Sequence, residues 1–180
     1  MNLTTTPLAV LLVLFHTPHA AALDFQRVVI DDKPPANPWI KIVGDIDGDG
    51  NPDIIIGGSN GPLVWYRNPD WKKFHIAVGG YSSVGGAVAD MDRDGDMDVA
   101  LGGVVWFENP GPRSALANEA WTAHPVENRR GHDIEAADLD GDGKVDLVMR
   151  DQSSFGTKLG HGIFIYRQIT PATWVTRELR

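Results

Sequence analysis

The nine residues Asp45-Ile-Asp47-Gly-Asp49-Gly-Asn51-Pro-Asp53 set carboxylates at positions 1, 3, 5 and 9 of a short, glycine-punctuated stretch. The pattern returns as Asp90-Met-Asp92-Arg-Asp94-Gly-Asp96-Met-Asp98, and again as Asp138-Leu-Asp140-Gly-Asp142-Gly-Lys144-Val-Asp146. The starts lie 45 and then 48 residues apart. A repeat at that period means one supersecondary unit used several times.

The flanks repeat as well. A β-rich run follows each stretch: Ile54-Ile55-Ile56-Gly57-Gly58, Val99-Ala100-Leu101-Gly102-Gly103, and Leu147-Val148-Met149. An aromatic run comes next, led by Val64-Trp65-Tyr66, Val105-Trp106-Phe107 and Phe164-Ile165-Tyr166, and each unit ends in a Trp-led segment (Trp71 to Val78, Trp121 to Val126, Trp174 to Leu179). β-Branched and aromatic residues bounded by Gly, Asn and Pro read as short strands, and no window keeps a helical period. Each unit therefore reads as four antiparallel strands with the Asp stretch between the first and second. Four-stranded units at this period predict an all-β fold of β-propeller blades, with boundaries at about 37–79, 80–127 and 128–180. Recurrence of Trp65, Trp106, Trp71, Trp121 and Trp174 in register points to packing between blades. Phe25 to Ile30 resembles a fourth closing strand, a clasp placed ahead of the first unit.

Of the 24 acidic residues, 13 fall in the three Asp stretches, in a chain of formal charge −8. Like charges crowded this closely are costly unless a cation sits among them. Three divalent ions would bring −8 to −2. Carboxylates at positions 1, 3, 5 and 9 offer the hard oxygens that Ca²⁺ takes, and position 7 contributes its backbone carbonyl, so Asn51, Asp96 and Lys144 can all occupy it. The Lys144 side chain is expected to point to solvent. Gly50, Gly95 and Gly143 at position 6 allow the sharp turn. An EF-hand needs Glu at position 12, where this chain has Ile56, Leu101 and Met149. The ligand set is thus Asp45, Asp47, Asp49, Asn51 and Asp53; Asp90, Asp92, Asp94, Asp96 and Asp98; and Asp138, Asp140, Asp142, Lys144 and Asp146, holding about three Ca²⁺ ions.

The Asp-x-Asp-x-Asp-Gly-x-x-Asp loops with trailing Gly-Gly resemble FG-GAP/VCBS-type repeats, which occur in integrin α-subunit propellers, some fungal lectins and many bacterial secreted proteins. The likeness spans about residues 23–180 and implies structural calcium sites. Closed propellers of this type have about seven blades, and three cannot close a ring. The expectation is a partial or truncated propeller, with further blades supplied by missing sequence or another chain.

Residues 1–22 read as a signal peptide: an apolar run from Leu8 to Phe15, then Ala20, Ala21 and Ala22. The run is too short to span a bilayer, and the chain is expected to be secreted or periplasmic. It has no Cys, so calcium takes the place of disulfides as a staple. An acidic chain is a poor nucleic-acid partner.

Function should sit where the units differ. His132, Asp133, Arg150, Lys158 and His161 are specific to the third unit and Trp39 to the first. In an up-and-down blade these positions gather on the face opposite the Asp loops. His75 and His124 read as surface residues. The leading reading is a secreted calcium-binding scaffold for a carbohydrate or protein ligand. The alternative is the propeller portion of a carbohydrate-active lyase or dehydratase, with a polar site around His132, Arg150 and His161; some sugar-modifying enzymes carry a similar His-Asp-Ile lead-in.

Overall fold

The computed structural model describes residues 25–59, 61–79, 83–151 and 162–179. The proposed signal peptide, Lys158 and His161 lie outside them.

Twelve strands form three four-stranded antiparallel sheets, each built from consecutive strands. The first sheet holds β1 (Pro38–Gly44), β2 (Asp53–Gly58), β3 (Leu63–Arg67) and β4 (Lys72–Ala77). The second holds β5 (Gly86–Ala89), β6 (Asp98–Leu101), β7 (Val105–Glu108) and β8 (Thr122–Pro125). The third holds β9 (Gly131–Ala137), β10 (Asp146–Asp151), β11 (Ile163–Thr170) and β12 (Thr173–Leu179). Every Asp loop joins the first strand of a sheet to its second, as the repeat predicts.

Successive side chains of a strand point to opposite faces, and the sheets use this to stack. Ile55 and Trp65 of the first sheet meet Val99, Leu101 and Phe107 of the second in one core. Ala100 and Trp106, one residue out of phase, meet Leu147, Met149 and Tyr166 of the third in another. All four residues of β6 are buried because both faces of the middle sheet are covered. Fully burying an aliphatic or aromatic side chain of this kind contributes about 1.5–3 kcal/mol. Trp65, Trp106 and Trp121 are buried in these cores, while Trp71 and Trp174 are half-buried.

The second and third sheets come closest at the end away from the Asp loops. A Cβ on Gly131 would lie 1.9 Å from the Gly102 carbonyl oxygen, so only glycine allows this approach. Buried Ser83 reinforces the seam, accepting from the Gly102 N–H at 3.0 Å, while the His132 carbonyl accepts from Val84 N at 2.9 Å.

The structure departs from the sequence reading at several points. Pro112–Leu116 forms a short helix, α1, in the β7–β8 connection; its proline start and five-residue length leave no periodicity to detect. Phe25 to Ile30, read as a clasp for a blade supplied by missing sequence, pairs with none of the three sheets, and Phe25, Val28 and Val29 are exposed. The segment is anchored just beyond, where Asp31 accepts from the Tyr66 hydroxyl at 2.6 Å and Lys73 Nζ at 2.7 Å. His124 is half-buried, stacked on the Trp106 ring at 4.1 Å and paired with Glu108 at 2.6 Å.

Candidate metal centres

The three Asp loops share one hydrogen-bonded frame. The position-1 carboxylate caps the turn: Asp45 accepts from Asp49 N and Gly50 N, Asp90 from Asp94 N and Gly95 N, and Asp138 from Gly141 N and Gly143 N. Position 3 bonds the position-5 N–H in each loop, and position 5 bonds the position-7 N–H. Positions 4 and 6 both take left-handed backbone. Position 4 is Gly48, Arg93 and Gly141 at φ 70°, 68° and 78°. Position 6 is Gly50, Gly95 and Gly143 at 88°, 98° and 82°. Arg93 holds in the middle loop a conformation that costs an L-residue about 1–2 kcal/mol.

Position 9 does something the spacing alone did not reveal. Asp53, Asp98 and Asp146 are buried, and each ties the loop to the end of the third strand. Asp53 accepts from Ile46 N at 3.0 Å and Asn68 N at 2.8 Å. Asp98 accepts from Met91 N and Asn109 N, both at 2.8 Å. Asp146 accepts from Leu139 N at 3.3 Å and Gln168 N at 2.9 Å. A buried carboxylate needs such donors, and its remaining lone pairs can still face a cation.

The carboxylates converge. One oxygen from each of Asp45, Asp47 and Asp53 lies within 4.8 Å of the others; the same holds for Asp90, Asp92 and Asp94, and for Asp138, Asp140 and Asp146. The oxygens are hard, acidic and grouped as a divalent cation of the calcium type requires. Burial, followed by the charge of Asp49, pushes Asp47 above the usual carboxylate range. Burial, followed by the charge of Asp94, does the same to Asp92 and Asp96. Burial raises Asp53 against its two backbone donors and lifts Asp98 to about 7. Without a counter-ion, the first two loops resist full ionisation.

The third loop is different. Lys144, expected to point to solvent, folds back to pair with Asp142, and Arg167 pairs with Asp140. A protein cation thus neutralises part of this loop, and the Lys144 contact holds Asp142 below the usual range. Asn51 at the same position of the first loop bonds Asp49 through its side-chain amide at 3.0 Å, and Asp96 in the second adds a further negative charge.

At the far end of the third sheet, His132 Nδ1 meets Asp133 Oδ2 at 2.5 Å, and Arg150 stands 3.8 Å from the same oxygen. Of the unit-specific residues, these three lie together, while Lys158 and His161 fall outside the described residues. Trp39 lies at the equivalent end of the first sheet, exposed.

No curated protein matches the chain. A family description does: residues 45–101, from the first Asp loop to the end of β6, match the FG-GAP-like repeat.

Proposed function

We propose that the protein is a calcium-stapled repeat module, secreted, whose three sheets are consecutive propeller-type blades presenting a surface to a carbohydrate or protein ligand. One observation carries this reading. A closely similar loop occurs three times, each time with the carboxylates of positions 1 and 3 converging on that of position 9 or position 5, and each time tying the first two strands of a sheet to the end of its third. An ion held by positions 1, 3 and 5 and by the outer lone pairs of position 9 would lock that junction. The FG-GAP-like match over 45–101 supports the same reading.

Calorimetric titration of chelator-treated protein with Ca²⁺ tests it, paired with melting curves. Two to three sites and a rise in melting midpoint are expected. A site filled at a hundred times its Kd adds about 2.7 kcal/mol. Identical melting with EDTA and with millimolar Ca²⁺ would falsify the proposal.

The contact of His132, Asp133 and Arg150 favours a second reading, a polar site for an acidic sugar on the end opposite the loops. Glycan binding lost in Arg150→Ala, with calcium-dependent melting unchanged, supports a binding site there. Turnover of a sugar substrate lost in His132→Ala supports the carbohydrate-active alternative.

A further inference from the structure

Each sheet has two unlike faces, and the chain fills the seam between such faces twice. Cross-strand pairing defines the faces row by row. The onward row of the first sheet is Ile42, Ile55, Trp65 and Phe74, and it packs on the second sheet. The equivalent row of the second is Ala87, Ala100, Trp106 and His124, of which Ala100 and Trp106 pack on the third. In the third sheet the same row is Glu135, Val148, Ile165 and Arg177. No fourth sheet covers it among the described residues; Ile165, Arg177, Leu139 and Val175 instead line a cavity of about 430 Å³.

The back faces tell the complementary story. Val99 and Phe107 of the second sheet pack on the first, and Leu147 and Tyr166 of the third pack on the second. The equivalent row of the first sheet is Val43, Ile54, Tyr66 and Lys73. Val43 is exposed, and Ile54, Ile56 and Tyr66 face a cavity of about 420 Å³ bounded on its far side by residues 27–31.

A polar bond marks each filled seam. Asn109 Nδ2 donates to the Ile46 carbonyl at 2.9 Å, and Gln168 Nε2 donates to the Met91 carbonyl at 2.8 Å. Both link the end of a third strand to the second residue of the preceding Asp loop. The unfilled halves of this bond are also present, one at each end of the stack. Leu139, the third such loop residue, is 49% exposed where Ile46 and Met91 are 1%, and its carbonyl accepts no hydrogen bond among the described residues. Asn68, the first such amide, bonds Pro52 O at 3.1 Å, just as Asn109 bonds Met97 O. Its second amide hydrogen has no acceptor among the described residues.

We propose that the two halves meet between copies: the back face of the first sheet docks on the onward face of the third sheet of a second copy, head to tail. Asn68 then bonds the Leu139 carbonyl of that copy, and exposed Val43 and half-buried Ile54 cover its Ile165 and Val175. The charges agree. Glu135 on the first strand of one face falls opposite Lys41 on the first strand of the other. Arg177 on the fourth strand meets the ion pair of Lys73 and Asp31, where the carboxylate offsets the Lys73 charge. Two copies joined at both ends make a ring of six sheets, since a head-to-tail contact must either close or propagate.

Sedimentation velocity of the full chain, in calcium and separately in EDTA, tests this independently of ion binding. Self-association in either buffer is expected. Val43→Asp blocks the back face and Val175→Asp blocks the onward face; both positions are exposed, and circular dichroism checks that each variant folds. Each variant alone should be monomeric. An equimolar mixture should form a one-to-one dimer, because the intact onward face of one meets the intact back face of the other. A wild-type chain that is monomeric in both buffers, or a mixture that stays monomeric, overturns the proposal.

Discussion

The side-chain amide of Asn109 donates to the backbone carbonyl of Ile46, 63 residues earlier and on a different sheet. The same amide holds Met97 O, and the Asn109 backbone N–H is held by Asp98. One residue thus joins two sheets and an Asp loop. Asn109→Leu strands two carbonyls, and a buried polar group left without its partner costs about 1–3 kcal/mol. Chemical denaturation should show a loss of about 2 kcal/mol. Gln168→Leu should behave similarly, and Asn68→Leu much less in the unassociated chain, where its amide is half-exposed and makes one bond.

Position 9 and position 3 should separate in a metal-free experiment. Asp98→Asn replaces a two-oxygen acceptor by a group that can accept on one side only, so Met91 N or Asn109 N loses its partner. The metal-free protein should lose about 2 kcal/mol by urea melting. Asp92→Asn removes a more exposed carboxylate that repels Asp94 and Asp90. It should leave the metal-free protein as stable or slightly more so, and weaken calcium binding when titrated. Equal effects of the two variants on the metal-free protein would contradict the staple.

The three loops should differ in affinity. The second has five carboxylates, the first four with a neutral Asn51, and the third four with Lys144 and Arg167 drawn in. Ion titration should rank them second, first, third. Lys144→Asn removes a competing charge from a partly exposed site, where such a contact is worth about 1 kcal/mol. The third site should tighten about fivefold, read by calorimetry or by luminescence of a bound lanthanide.

Acid should release the segment before the first sheet. The Lys73 ammonium, followed by the Tyr66 hydroxyl, holds Asp31 at about 2, below its ordinary 3.8. A carboxylate with a lowered folded-state pKa stabilises the fold above its unfolded value and loses that contribution as pH falls toward the folded one. Its contribution is therefore complete above about pH 5 and fades between pH 4 and 2. The difference in denaturation midpoint between wild type and Asp31→Asn should be constant near neutrality and shrink across that window.

Much of this architecture was legible in the residues. Alternating Asp with Gly at position 6 forces a tight turn, and β-branched runs on either side leave antiparallel pairing as the outcome. The order of strands in each sheet and the place of each loop followed. What escaped depends on contacts between units. Asp98 reads only as a ligand, because nothing in the spacing shows that the Met91 and Asn109 N–H groups also bond it. Asn109 and Gln168 look like ordinary turn residues, because their acceptors lie 63 and 77 residues away. Phe25 to Ile30 has a strand's composition, yet it pairs with none of the three described sheets. Lys144 was read as solvent-facing because the spacing gives no sign that Asp142 attracts it.

All three Asp loops lie at one end of the stack, since Asn109 ties the first to the second and Gln168 ties the second to the third, while Arg150 and His132 stand at the other end. The carboxylates gathered at one pole, though not all ionised, give the molecule an electric moment along the strand direction. Its approach to any charged surface is therefore oriented before contact. Three divalent ions would offset about half of that charge, so the calcium level of the surroundings would set how strongly the approach is oriented.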